Sequence, residues 1–177
     1  MSGILALSGS LRAASLNTAL LRAAQNLAPD SLAIEVFDGL ASLPPFNPDL
    51  DPQSLPSVTA FLARAERADG LLIACPEYAR GIPGAFKNAL DWLVGSTIFA
   101  GKPVALFNAS PRATEAQAAL RLVLKTMALV IVEPASMTVP LPGPDATATE
   151  IAADGVAGPA IMQALAAFAD VLRTRRD

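Results

Sequence analysis

Short apolar runs alternate with longer amphipathic segments along this chain. Ile4–Ser8 reads as a buried strand, followed by a polar loop and a helix over Leu16–Leu27. Ala33–Phe37 alternates apolar with polar positions and predicts a second, half-buried strand. Val58, Leu62 and Ala65 share one helical face within a helix over Val58–Ala68. Leu71–Cys75 is continuously apolar, the pattern of a central strand covered on both sides. A third helix is predicted over Pro83–Val94, with Pro83 in the first turn, where its missing N–H costs nothing. Val104–Asn108 predicts a fourth strand, and Thr114 opens a helix with Gln117 at capping-box spacing. Leu129–Val132 begins a fifth strand, Val139–Pro144 ends regular structure, and a last helix covers Pro159–Arg173.

Five strands alternating with five helices imply parallel pairing through right-handed crossovers, an α/β doubly wound sheet with helices on both faces. The proline-rich connector Pro44–Pro56 resembles a linker, but both flanks belong to one alternating pattern. It is therefore expected to be a surface loop within a single domain spanning residues 1–177.

Composition narrows the chemistry. Of 177 residues, 53% are hydrophobic and only 16% charged, which excludes a disordered or highly solvated chain. The absence of histidine removes Ser-His-Asp and Cys-His catalysis and His-ligated metal centres. A single cysteine removes an internal disulfide and a Cys-rich metal site, so no metal is expected. What remains is carboxylates, amides, hydroxyls and arginines, or a borrowed cofactor.

A formal net charge of −3 argues against nucleic acid as a partner. The one basic cluster, Arg173, Arg175 and Arg176, falls at the end of the last helix and complements its dipole. Met1 leads into an apolar run without a basic flank, and no apolar stretch approaches the roughly 20 residues needed to cross a bilayer. The expectation is a cytoplasmic chain, not attached to a membrane, with Cys75 reduced.

In an open α/β sheet, ligands bind beyond the carboxyl ends of the strands. Three loops there are unusual. Ser8–Asn17 combines hydroxyls, a glycine, Arg12 and an amide just before a helix, a setting that favours an anion. It also fits a plain helix cap by Ser15 with Arg12 solvated. Pro76–Gly84 is stiffened by two prolines and two glycines, and suits reading the edge of a flat heterocycle. Within it Tyr78 serves either ring contact or packing, and Glu77 either acid–base work or an ion pair. Trp92 falls on the core face of the helix that follows. Asn108–Thr114 offers small polar groups and Arg112, and serves equally as helix entry.

The segments GSLRAASLN after strand one and PEYARGIPGAFKNALDW after strand three resemble the NADPH-dependent FMN reductases. These are flavodoxin-like quinone, azo-dye and chromate reductases, and the resemblance covers nearly the whole chain in motif order. It implies a flavodoxin-like five-stranded sheet in the order 2-1-3-4-5 and FMN as cofactor, with NADPH or NADH as electron donor. Ser10, Arg12, Ser15 and Asn17 match the phosphate loop, with Leu16 offering its backbone N–H. Pro76, Glu77 and Tyr78 match the segment along the isoalloxazine ring, and Ser110 the loop at its other side. No side chain is singled out as catalytic. The implied reaction is a ping-pong transfer of hydride to FMN and then of two electrons to a quinone, azo compound, metal oxyanion or free flavin. Such proteins commonly form homodimers or homotetramers.

One departure concerns Ala79 and Arg80, where many members have asparagine after the PEY triplet. Arg80 there is a candidate for meeting an anionic substrate or the phosphate of NADPH. Two rival readings are a flavodoxin-like electron carrier without its own NAD(P)H oxidation and a module binding another phosphate-bearing ligand.

Overall fold

The computed structural model describes residues 1–95 and 99–175; Arg176 of the basic cluster lies outside the described residues. Strands β1 (Ser2–Ser8), β2 (Leu32–Phe37), β3 (Gly70–Ala74) and β4 (Pro103–Asn108) run parallel at the heart of one sheet. Two short strands, β5 (Val130–Ile131) and β6 (Met137–Thr138), both pair with β4, so the order is β2-β1-β3-β4-β5 with β6 beside β4. This is the order expected of a flavodoxin-like sheet. In register, Leu5 faces Glu35 on one side and Leu71 on the other, and Leu71 in turn faces Val104.

Successive strand residues point to opposite faces, and each face is covered by its own set of helices. Leu5, Leu7, Leu71, Ile73, Val104 and Leu106 form one layer with helices α2 (Pro56–Arg67), α3 (Gly84–Val94) and α4 (Thr114–Thr126). Ile4, Ala6, Leu72, Ala74, Ala105 and Phe107 form the other with α1 (Leu16–Asn26), α5 (Ala148–Ala153) and α6 (Ala157–Thr174). No described helix is long and apolar enough to cross a membrane.

The connector after β2 is tied to α3. The Pro44 carbonyl accepts from Asn88 Nδ2 and Trp92 Nε1, each at 2.9 Å, and Phe46 meets the Trp92 ring edge-on at 5.0 Å. Trp92 is buried, as its spacing predicts.

Four expectations need correction. The fifth strand does not run through Leu129–Val132; it is two residues long and gives way to a 3-10 turn at Glu133–Ala135. Pro134 has no N–H for the ladder, and the Ser136 hydroxyl fills the gap by accepting from Leu106 N at 3.0 Å before β6 resumes pairing. Regular structure does not stop at Val139–Pro144, because α5 follows, opened by a capping box between Thr147 and Glu150. Helix α3 begins at Gly84, so Pro83 is its N-cap rather than a first-turn residue. The capping box foreseen at Thr114 and Gln117 does not form. Ala113 holds the cap position, Thr114 is already helical, and the Gln117 amide nitrogen is buried with no partner among the described residues.

Candidate functional site

The loops after β1, β3 and β4 meet at the carboxyl end of the strands, and the first is braced by its own hydroxyls. Ser10 N donates to Ser8 Oγ at 3.4 Å, Arg12 N to Ser10 Oγ at 3.3 Å, and Thr18 N to Ser15 Oγ at 3.3 Å. Ser15 is thus the N-cap of α1, and Leu16 is its first residue, with a backbone N–H that has no partner inside the helix. Arg12 is exposed. Asn17 is buried, yet its Oδ1 has no hydrogen-bond partner among the described residues.

Gly9 brings the first and second loops into contact. A Cβ built there would lie 3.0 Å from Pro76 Cδ and 3.2 Å from Cys75 Cα. Cys75 itself is fully buried, its Sγ 3.3 Å from the Pro76 carbonyl, and burial pushes the thiol up to about 12. It is an inert packing group.

Beyond Pro76 and Glu77, both half-buried, the second loop closes as a two-residue hairpin. Tyr78 and Gly81 exchange backbone hydrogen bonds of 3.1 and 3.0 Å, while Ala79 and Arg80 both take positive φ, +49° and +61°. Two consecutive left-handed residues are the pattern of a type I′ turn, which ordinarily selects Asn-Gly. Tyr78 is 46% exposed, and its hydroxyl lies 3.3 Å from Ser10 Oγ.

The third loop folds on itself. Asn108 Oδ1 accepts from Ser110 N at 3.1 Å, and Ser110 Oγ accepts from Arg112 N at 3.3 Å. Glu77 forms no ion pair among the described residues; its Oε2 accepts instead from Ala116 N, in the first turn of α4, at 2.9 Å. The sequence did not reveal this contact, because 39 residues separate the partners.

A cavity of about 310 Å³ is walled by Leu16, Asn17, Pro76, Glu77, Ser110 and Arg112, together with Cys75, Asn108, Ala109 and Ala113. The fold therefore brings five of the nine candidate residues onto one cavity. Ser10 and Tyr78 meet each other, Ser15 is spent on the helix cap, and Arg12 stands in solvent. Arg112, offered by its loop in the sequence, does line the cavity, and Gly9 gains a role through its close approach.

The group implied by the motifs carries an anionic phosphate, ribityl hydroxyls and a flat ring. The residues present fit it. Free N–H groups at the start of α1 and the Arg12 guanidinium suit the phosphate. The unpartnered buried oxygen of Asn17 calls for a donor, which a hydroxyl supplies. The glycine contact lets the two loops close on a flat ligand.

Such a parallel sheet with a phosphate-type loop after β1 and a stiff loop after β3 defines a flavodoxin-like α/β protein. The sequence pattern of NADPH-dependent FMN reductases matches residues 3–141. FerB, a flavoenzyme NAD(P)H:(acceptor) oxidoreductase from Paracoccus denitrificans, superposes with a TM-score of 0.78 at 32% identity, covering 98% of each chain. A 2-hydroxy-1,4-benzoquinone reductase from Burkholderia sp is 40% identical over 105 residues, 58% of this chain and 57% of that protein. An NAD(P)H-dependent FMN reductase from Pseudomonas aeruginosa is 39% identical over 110 residues, 60% of this chain and 59% of that one. The chain thus spans little more than half the length of these two curated relatives. It belongs to the NADPH-dependent FMN reductase family.

Proposed function

We propose that this chain holds FMN in the crevice between the three loops and moves two electrons from NADPH or NADH to a small-molecule acceptor, foremost a quinone, in a ping-pong cycle. The observation that carries this reading is the buried, unpartnered amide oxygen of Asn17 on a cavity shared by all three loops. When bound, FMN supplies the redox chemistry, taking hydride from the reduced nicotinamide and passing two electrons to the acceptor.

The protein's share is binding, orientation and exclusion of water. Ser10, Arg12 and the Leu16 N–H hold the phosphate, Asn17 takes a neighbouring hydroxyl of the cofactor on its free oxygen, and Ser15 fixes the helix terminus that presents Leu16 and Asn17. Main-chain groups of Pro76, Glu77 and Tyr78 line the ring edge; Pro76 has no N–H and that of Tyr78 is donated to Gly81, so the Glu77 N–H is the donor left to stabilise negative charge as it develops. Ser110 closes the other side. Cys75, with its thiol pushed up to about 12, moves no proton at neutral pH. The Tyr78 hydroxyl or solvent serves that role.

The same reading includes a single domain, a cytoplasmic setting and a homodimer or homotetramer. Leu11 and Tyr78, exposed apolar side chains on the first two loops, favour a subunit contact beside the crevice. Azo compounds, metal oxyanions and free flavin are further acceptors within its reach.

The test is anaerobic NADPH oxidation by the purified, FMN-loaded chain with benzoquinone as acceptor, the two substrates varied together. Parallel double-reciprocal lines are expected. A chain that retains no FMN, or oxidises no NADPH with any acceptor, overturns the reading.

A further inference from the structure

Helix α4 starts without a side-chain cap of its own. Its N-cap is Ala113, and the first-turn N–H groups have no intrahelical partners. One of them, Ala116 N, donates to Glu77 Oε2 at 2.9 Å. The carboxylate therefore does two things at once. It caps α4 from a distance, with a charge of the sign that the positive end of the helix dipole favours. It also fastens the loop after β3 to the element that follows the loop after β4.

Those two loops line one cavity, Pro76 and Glu77 from the second and Ser110, Arg112 and Ala113 from the third. Other ties on the second loop lie elsewhere. The Ser10–Tyr78 contact and the Gly9–Pro76 approach hold it against the first loop. Within the loop, the Tyr78–Gly81 hairpin bonds fix only its tip. Among the described residues, the Glu77 carboxylate makes the hydrogen bond that joins the second loop to α4.

We infer that Glu77 is a positioning residue whose side chain sets the width of the ring crevice by bridging to the N-terminus of α4, while its main chain faces the ligand. This rests on the proposed binding of FMN in that crevice. Its carboxylate is committed to Ala116 N, so acid–base work at the ring is not its role. Reach matters for this bridge, and formal charge matters less.

Three substitutions separate reach from charge. Glu77→Gln keeps the length and an acceptor oxygen but loses the charge. Glu77→Asp keeps the charge but falls one methylene short. Glu77→Ala loses both. The measurements are the Kd of the apoprotein for FMN and the visible circular dichroism of bound FMN, which reports how the ring is held. We expect Glu77→Asp and Glu77→Ala to weaken FMN binding by about tenfold, as for loss of one hydrogen bond at the upper end of the usual range, and to alter the dichroism. Glu77→Gln should stay within about threefold of the parent with its spectrum retained.

If Glu77→Asp binds FMN like the parent, reach is irrelevant and the inference falls. If Glu77→Gln is as weak as Glu77→Ala, charge rather than bridging is at work, and it falls as well. Should Glu77→Ala not fold, the comparison of Gln with Asp still decides. A parent chain that binds no FMN would instead remove the proposed function on which this rests.

Discussion

The hydroxyl of Tyr78 lies 3.3 Å from that of Ser10, so the chain's one tyrosine bridges the loops that follow β1 and β3. The residue remains 46% exposed. It is held by its polar tip while nearly half of the residue stays open to solvent, an arrangement suited to covering a flat ligand. Tyr78→Phe keeps the ring and removes the bridge. A neutral hydrogen bond contributes about 1 kcal/mol, so FMN affinity should fall by about fivefold with little change in melting temperature. Fluorescence titration of FMN into the apoprotein measures this, and an unchanged Kd would show that the bridge does not order the crevice.

Ala79 and Arg80 occupy left-handed conformations that cost a non-glycine residue about 1 kcal/mol each. Ala79→Gly should relieve part of that strain and raise the melting temperature by a few degrees, about 2–4 °C per kcal/mol for a chain of this size. A drop in melting temperature would mean the turn is not strained. The same turn sets the Arg80 main chain beside Tyr78 with no ion pair recorded for its guanidinium among the described residues. Arg80→Ala should raise KM for NADPH more than for NADH, and equal effects on both donors would remove it from phosphate recognition.

Much of this was legible in sequence because it is local. Apolar period and run length located β1, β3, β4 and the helices between them, and the loops at the strand ends followed from the topology. Interruptions and long-range partners were not legible. Pro134 breaks the fifth strand, but the Ser136 hydroxyl that repairs the ladder is visible only once β4 lies alongside. Thr147 and Glu150 spell a capping box, yet the prolines just before them read as the end of regular structure. Thr114 and Gln117 spell one that does not form, because Glu77 of a distant loop serves that helix end instead. Capping motifs are permissive, and tertiary contacts decide which are used.

Lys102 closes the other end of a helix. Its ammonium donates to the carbonyls of Ala65 at 2.7 Å and Glu66 at 3.0 Å, and also to that of Ala68, at the C-terminus of α2. Three carbonyls without helical partners meet a cation at the negative end of the dipole. Lys102→Met keeps the aliphatic stem and removes the donors, and should cost about 2 kcal/mol in urea denaturation. FMN affinity should not change, since none of these groups lines the crevice. Equal stability of the two proteins would show that water satisfies the carbonyls just as well.

The buried thiol gives a pH signature. Cys75 is pushed up from 9.0 to about 12 by burial, so the folded chain keeps its proton where the unfolded chain releases it. Above pH 9 the unfolded state binds fewer protons, and by linkage stability falls as pH rises towards 12. Cys75→Ala should flatten that part of the stability curve, after allowance for other groups that titrate there in both proteins. The thiolate is also the nucleophile. Native protein at pH 8 should therefore react with iodoacetamide only as fast as it opens, and rapid labelling of folded protein would contradict this burial.

Gly9 is where the first two loops touch, and its lack of a side chain permits it. A methyl there meets Pro76 Cδ at 3.0 Å and both Cys75 Cα and Sγ at 3.2 Å. A proline ring and main chain just past the end of a central strand cannot swing aside as a flexible side chain does. The Gly9 N–H also donates to the Ala74 carbonyl at 2.8 Å, so the backbone is held on both sides. Gly9→Ala must push the loops apart by a few tenths of an ångström, with an overpacking cost of about 1–3 kcal/mol. Because the same displacement moves Pro76 away from the loop after β1, FMN affinity should fall together with the urea midpoint. If the midpoint drops while FMN binding is intact, Gly9 serves packing alone, and the crevice is shaped farther out, at Tyr78 and Glu77.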